Sequence, residues 1–181
     1  MSRTHRVQIG RLTIDLPVIN IADDGAPPIL VALFDSQGKW EINREAAALL
    51  AKKMPDGVEA ILMPGGKAEG LLQAMGEETR LPTYVARKER KKYMGKAVSH
   101  TVQTITTQRT QTLNLSETSV AELHGKRVLM LDDVVSTGGS VDAIKGLLKD
   151  VGAECVGVMA VFTEGTRRPE VITLGHLPLF D

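Results

Sequence analysis

Two acids in a row, Asp132 and Asp133, stand just before a run of small residues: Val135, Ser136, Thr137, Gly138, Gly139 and Ser140. Carboxylates accept hydrogen bonds and repel phosphate oxygens. A glycine and hydroxyl loop leading into a helix does the opposite, turning backbone N–H groups and hydroxyls toward an anion with the helix dipole in support. A phosphorylated pentose satisfies both halves, its ring hydroxyls donating to the acids while its 5-phosphate settles in the loop. The loop lacks the GxxxxGK[ST] spacing of nucleoside triphosphatases, and the chain contains no GxGxxG, so neither nucleotide fingerprint accounts for it. Taken alone, an Asp-Asp pair at a strand end is turn chemistry; the TGGS run and the apolar lead before it favour the ligand reading.

A second glycine loop, Pro64, Gly65, Gly66 and Lys67, follows the apolar run VEAILM and precedes AEGLLQAMGEE, whose apolar spacing is helical. Around the acid pair the order repeats: Arg127 to Leu131 is apolar and β-prone, then Val141, Ile144, Leu147, Leu148 and Val151 recur at helical spacing. CVGVMAVF reads as a strand covered on both faces, and TEGTRRPE as a polar loop before the closing VITLGHLPLF. Strands alternating with helices predict an α/β fold with a largely parallel sheet, in which ligands sit beyond the carboxyl ends of the strands. Both glycine loops fall there.

Upstream, LTIDLPVINI and PPILVALF read as strands joined by a turn, and Asn43 is the expected cap of a helix over REAAALLAKKM. LPTYVA is a further strand. It leads into RKERKKYMGK, with six basic residues and one acid, and then into SHTVQTITTQ and TQTLNLS, an expected antiparallel excursion.

At 181 residues the chain fits one domain, 1–181, and its balance of 22 basic and 22 acidic residues argues against a nucleic-acid or anionic-membrane partner for the chain as a whole. The lone Cys155 excludes an internal disulfide and reads as a buried thiol; with no membrane-length apolar run and no signal-peptide core at the start, the expected location is the cytoplasm. The four histidines are too scattered for metal spacing, and Trp40 and the methionines read as packing residues.

VLMLDDVVSTGGS resembles the phosphoribosyl pyrophosphate (PRPP) signature of the type I phosphoribosyltransferases. ILMPGGKAEGLL, YVARKERKKYM and the TITT segment are similar to the purine branch, near adenine phosphoribosyltransferase and its xanthine and hypoxanthine-guanine relatives. The resemblance spans roughly residues 58 to 162, with the first fifty matching loosely. It implies the type I fold, a twisted parallel sheet flanked by helices, with an N-terminal hood over about 1–40 and a lid over about 88–107. It assigns the ribose hydroxyls to Asp132 and Asp133, the 5-phosphate to Val135 through Ser140, and pyrophosphate to Pro64 through Lys67 with Lys91. A non-proline cis peptide is often part of that pyrophosphate loop. Arg87 and Lys88 match the start of the catalytic loop, and Phe34 is a base-reading candidate in the hood.

The implied reaction transfers phosphoribosyl from PRPP to a purine, adenine first, in salvage. Magnesium would be carried mainly by substrate phosphates with few direct protein ligands, none of them named by the sequence, and the family is commonly homodimeric. Glu89 is a candidate general base. A PRPP-sensing regulator of the same fold, and hypoxanthine, guanine, xanthine or orotate as acceptor, remain as alternatives.

Overall fold

The computed structural model describes residues 3–103 and 110–180. In chain order the elements are β1 (Thr4–Ile9), β2 (Leu12–Asn20), β3 (Leu30–Ala32), α1 (Trp40–Ala51), β4 (Ala60–Pro64), α2 (Glu69–Thr79), β5 (Thr83–Ala86), β6 (Val98–Gln103), β7 (Thr110–Leu115), α3 (Glu117–Leu123), β8 (Arg127–Val135), α4 (Gly139–Asp150), β9 (Glu154–Glu164), β10 (Val171–Leu177) and β11 (Leu179–Phe180). A parallel sheet runs in the order β10-β9-β8-β4-β5. Its central strands are apolar on both faces because both faces are covered: β4 is buried from end to end.

One face packs on α1, α2 and a small antiparallel sheet, β1-β2-β3-β11, through Phe34, Leu50, Leu71, Met75 and Phe162. The other packs on α4, α3 and the β6-β7 hairpin, through Val141, Ile144, Leu147, Leu113 and Leu115. The parallel sheet with helices on both faces is the α/β arrangement that the sequence predicted.

The two βα units fall where sequence spacing put them, and β6 and β7 do pair antiparallel, from Val98 opposite Leu115 to Gln103 opposite Thr110. The first helix differs. It starts at Trp40, and Asn43 is buried inside its first turn, where Nδ2 donates to Ser36 O at 3.2 Å instead of capping. Trp40 is no packing residue: it is 62% exposed, with the Arg44 guanidinium over its ring. The buried Met63, Met75, Met94, Met130 and Met159 are packing residues, as expected. Cys155 is half-buried, and burial pushes its thiol up. Among the described residues no peptide bond is cis, so the expected cis peptide in the Pro64–Lys67 loop is not found.

The sequence held no strong signal for α3. It is a short helix, started by Ser116, whose side chain accepts from Ser119 N at 3.2 Å. Of the expected lid, residues 104–107 lie outside the described residues. The described part of the hairpin lies on α4, with His100 Nδ1 2.6 Å from Asp150 Oδ2. Its root is tied to the sheet by Asn114, which exchanges backbone hydrogen bonds with Arg87 and donates from Nδ2 to Arg87 O.

Candidate functional site

β4 and β8 are adjacent parallel strands, with Ile61 opposite Leu129 and Leu62 opposite Met130, so the loops at their carboxyl ends face each other. Between them is a hollow of about 430 Å³ lined by Pro64 through Ala68, Lys88, Asp132, Asp133, Val134 and Ser140. Gly65 earns its lack of a side chain here, since a Cβ would meet Ala86 O at 3.2 Å and Val85 Cγ1 at 3.3 Å. Asp132, Val134 and Ser140 also line a smaller hollow of about 130 Å³ formed by the 134–141 loop. Lys67, Asp133 and Val134 also line a third, of about 260 Å³, bounded by residues 31–34 of the antiparallel sheet region, Ser136 and Glu164. Three compartments therefore meet at the acid pair.

The 134–141 loop turns sharply from β8 into α4. Gly138 takes φ +89°, which only glycine adopts without strain, and α4 begins at the next residue. Among the described residues no protein acceptor engages the N–H groups of Thr137 and Gly138. A phosphate in the small hollow would supply acceptors to them at the positive end of a helix.

Asp133 is 7% exposed; its Oδ1 accepts from Val134 N at 2.8 Å. Its Oδ2 is buried with no hydrogen-bond partner, 3.5 Å from Lys67 Nζ. Lys67 spans the site and donates to Phe34 O at 2.6 Å. Asp132 Oδ1 accepts from Asp133 N at 2.9 Å. Burial, and then the charge of Asp133, push the Asp132 carboxyl up to about 8, with Lys88 pulling weakly the other way. Glu164, at the end of β9, is also pushed up, by burial, against the opposing pull of Ser136, Lys67 and His176.

Pro64 through Lys67, Lys88, Asp132, Asp133 and the 135–140 loop are thus brought together. Arg87, Lys91 and Phe34 are not brought in as expected. The Arg87 guanidinium pairs with Glu69 at 2.7 Å, and Lys91 pairs with Glu89 on the surface. That pairing holds Glu89 below the usual carboxylate range, which makes it a weaker base. The Phe34 ring is 2% exposed and packs edge-on against Phe162, centroids 5.1 Å apart, so the ring is core and what Phe34 offers the site is its main chain.

Sequence reasoning missed Glu164 and Arg168. Glu164 is the last residue of β9, the strand beside β8, and Arg168 lies in the connection after it; the rule that ligands gather at strand ends would have pointed to TEGTRRPE had the strand order been known. Arg168 Nε donates to Ser136 O at 3.0 Å and its second nitrogen to Thr137 O.

The phosphoribosyl transferase domain matches residues 42–174, nearly three quarters of the chain. The chain belongs to that family. An HGPRTase-like protein of Halorhabdus utahensis is 31% identical over 123 residues, which are 67% of this chain and 61% of that protein. The chain thus spans about three fifths of that relative. An orotate phosphoribosyltransferase of Staphylococcus aureus is 42% identical over 50 residues, covering 28% of this chain and 25% of that protein. Among solved structures, the adenine phosphoribosyltransferase of Thermoanaerobacter pseudethanolicus superposes with a TM-score of 0.70 at 18% identity, covering 88% of this chain and 95% of that one. That of Rhodothermus marinus gives 0.67 at 20% identity, covering 88% and 93%. At such identities the likeness is one of fold.

Among the described residues no helix is long and apolar enough to cross a membrane, and no group of three or more His, Cys, Asp or Glu is placed to hold a metal ion. The oxygen donors present, Asp132 and Asp133 beside the larger hollow, fit a hard ion such as magnesium that binds chiefly through a ligand's phosphates.

Proposed function

We propose that this chain is a phosphoribosyltransferase that moves the 5-phosphoribosyl group of PRPP onto a ring nitrogen of a purine base, adenine first. The observation that carries the reading is the meeting of three hollows at one acid pair. A ribose held at Asp132 and Asp133 has three directions to serve. Its 5-phosphate enters the small loop, its pyrophosphate enters the hollow of Pro64 to Lys67, and the base approaches from residues 31–34 and Glu164.

In the reaction a purine nitrogen forms its bond to the anomeric carbon while the bond from that carbon to the pyrophosphate oxygen breaks, and the proton that the purine ring loses passes to the pyrophosphate or to water. Lys67 and Lys88 stabilise the negative charge that grows on the leaving oxygens, an effect strongest where water is excluded. Magnesium carried by the pyrophosphate would add to that stabilisation. Asp132 and Asp133 hold the ribose hydroxyls and stand near the positive charge that develops on the sugar. Lys67 lines the pyrophosphate hollow while its ammonium donates to Phe34 O and stands 3.5 Å from Asp133, so one side chain links that hollow to residues 31–34. We extend the reading to a hood over about 1–40, a lid whose described part begins at Lys88, and a cytoplasmic homodimer.

The test is direct: purified protein with PRPP, magnesium and, separately, adenine, hypoxanthine, guanine, xanthine and orotate. Expected is a nucleoside monophosphate and pyrophosphate with adenine. Product from another base alone would replace adenine; product from none would defeat the transferase reading.

A further inference from the structure

We infer that Arg168 is a positioning residue for the phosphate end of the ligand, holding the 136–138 backbone from behind so that its amides face the cradle. The inference rests on the phosphate role proposed for that loop. Arg168 comes from the 165–170 connection between β9 and β10, thirty residues away in sequence, and nothing local ties it to the loop. Its Nε donates to Ser136 O at 3.0 Å and another guanidinium nitrogen to Thr137 O, while a third lies 3.3 Å from Glu170 Oε1.

A peptide unit is planar, with its C=O and the next N–H pointing in opposite directions. Fixing the carbonyls of Ser136 and Thr137 on the guanidinium therefore turns the N–H groups of Thr137 and Gly138 the other way. Those two are among the loop amides for which the described residues supply no acceptor, alongside Ser136, Gly139 and Ser140. The rigid fork of arginine suits two carbonyls at once, which a lysine ammonium cannot reproduce. Its positive charge also polarises both peptides in the sense that strengthens their N–H donors.

Gly138 makes the approach feasible. A Cβ there would fall 2.7 to 2.8 Å from three guanidinium atoms of Arg168, so any side chain at 138 would force the arginine away. Glycine at this position thus serves two needs, the positive φ and the room for Arg168.

The experiment compares wild type, R168Q and R168K by titration calorimetry with two probes, ribose 5-phosphate and inorganic pyrophosphate. A group that acts by orienting the loop should matter to the first and not the second. R168Q is expected to weaken ribose 5-phosphate binding by about tenfold to a hundredfold, the range seen when an outer layer of groups orients an inner one. Pyrophosphate affinity should stay at the wild-type value, and R168K should fall between. In steady state the same variants should raise the KM for PRPP with little change in kcat. Equal weakening of both probes, unchanged ribose 5-phosphate binding, or no ribose 5-phosphate binding by wild type would overturn the inference. If R168Q does not fold, R168K carries the comparison. A wild type that binds ribose 5-phosphate through Arg168 yet makes no nucleotide from any base would refute the transferase reading and leave this inference standing.

Discussion

Replacing Asp132 with asparagine should change how stability depends on pH, and the sign follows from the site. Burial and the adjacent Asp133 raise the Asp132 carboxyl from an ordinary 3.8 to about 8. Between those values the native state holds a proton that the unfolded chain has released, so native stability falls as pH rises. For one full proton the slope is about 1.4 kcal/mol per pH unit; sharing with Asp133 brings the expected slope to about 1 kcal/mol per unit between pH 5 and 7.5. Glu164 is raised as well and adds a slope of the same sign, so the comparison must be made between variants. Asp15, Glu59, Glu89 and Glu170 are shifted down, which puts their opposite contribution below this window.

Urea unfolding of wild type and Asp132→Asn at half-unit steps from pH 5 to 8 measures the difference. Asn keeps the shape and cannot titrate, so the wild-type slope should be shallower in the variant by the amount given. The variant should gain on wild type as pH rises. Parallel curves, or wild-type stability that climbs across the window relative to the variant, would refute the account of Asp132. The same proton has a ligand-side signature. Ribose hydroxyls and magnesium both favour the ionised acid, so PRPP binding with magnesium at pH 7 should release a proton, visible as buffer-dependent binding heat.

Phe34→Ala should cost about 3 to 5 kcal/mol of unfolding free energy, because the ring is core against Phe162; a variant of normal stability with a raised KM for base alone would return the ring to the base site. Lys67→Met should lower stability by about 1 to 3 kcal/mol, since it leaves Phe34 O and the buried Asp133 Oδ2 without the ammonium. It should also raise the KM for PRPP, and Lys67→Arg should restore part of both. Unfolding midpoints and initial rates on the three proteins decide, and an unchanged midpoint in Lys67→Met would show that the ammonium contributes nothing to the resting fold.

What could be read in advance was what local spacing encodes. The strand, acid pair, glycine loop and helix from Arg127 to Asp150 are consecutive, and each declares itself by its own period or turn chemistry. The loop from Pro64 to Lys67 was legible for the same reason. The failures share a cause in tertiary contact. Asn43 looks like a cap, but Ser36 O engages its side chain and the helix starts three residues earlier. Phe34 looks available for stacking, but Phe162 takes it, and that pairing needs β9 to be folded against the β3 region. Arg168 and Glu164 reach the site only because β9 lies beside β8, a neighbourhood no spacing records.

The antiparallel sheet touches the proposed ligand only at its 31–34 edge, while the acids, both glycine loops and Arg168 all hang from the parallel floor or its connections. Choice of acceptor and handling of the activated sugar are thereby separable during evolution. A lineage that exchanged the smaller sheet for one with a taste for a new heterocycle would keep its donor chemistry intact only by keeping a carbonyl for Lys67 where Phe34 O stands.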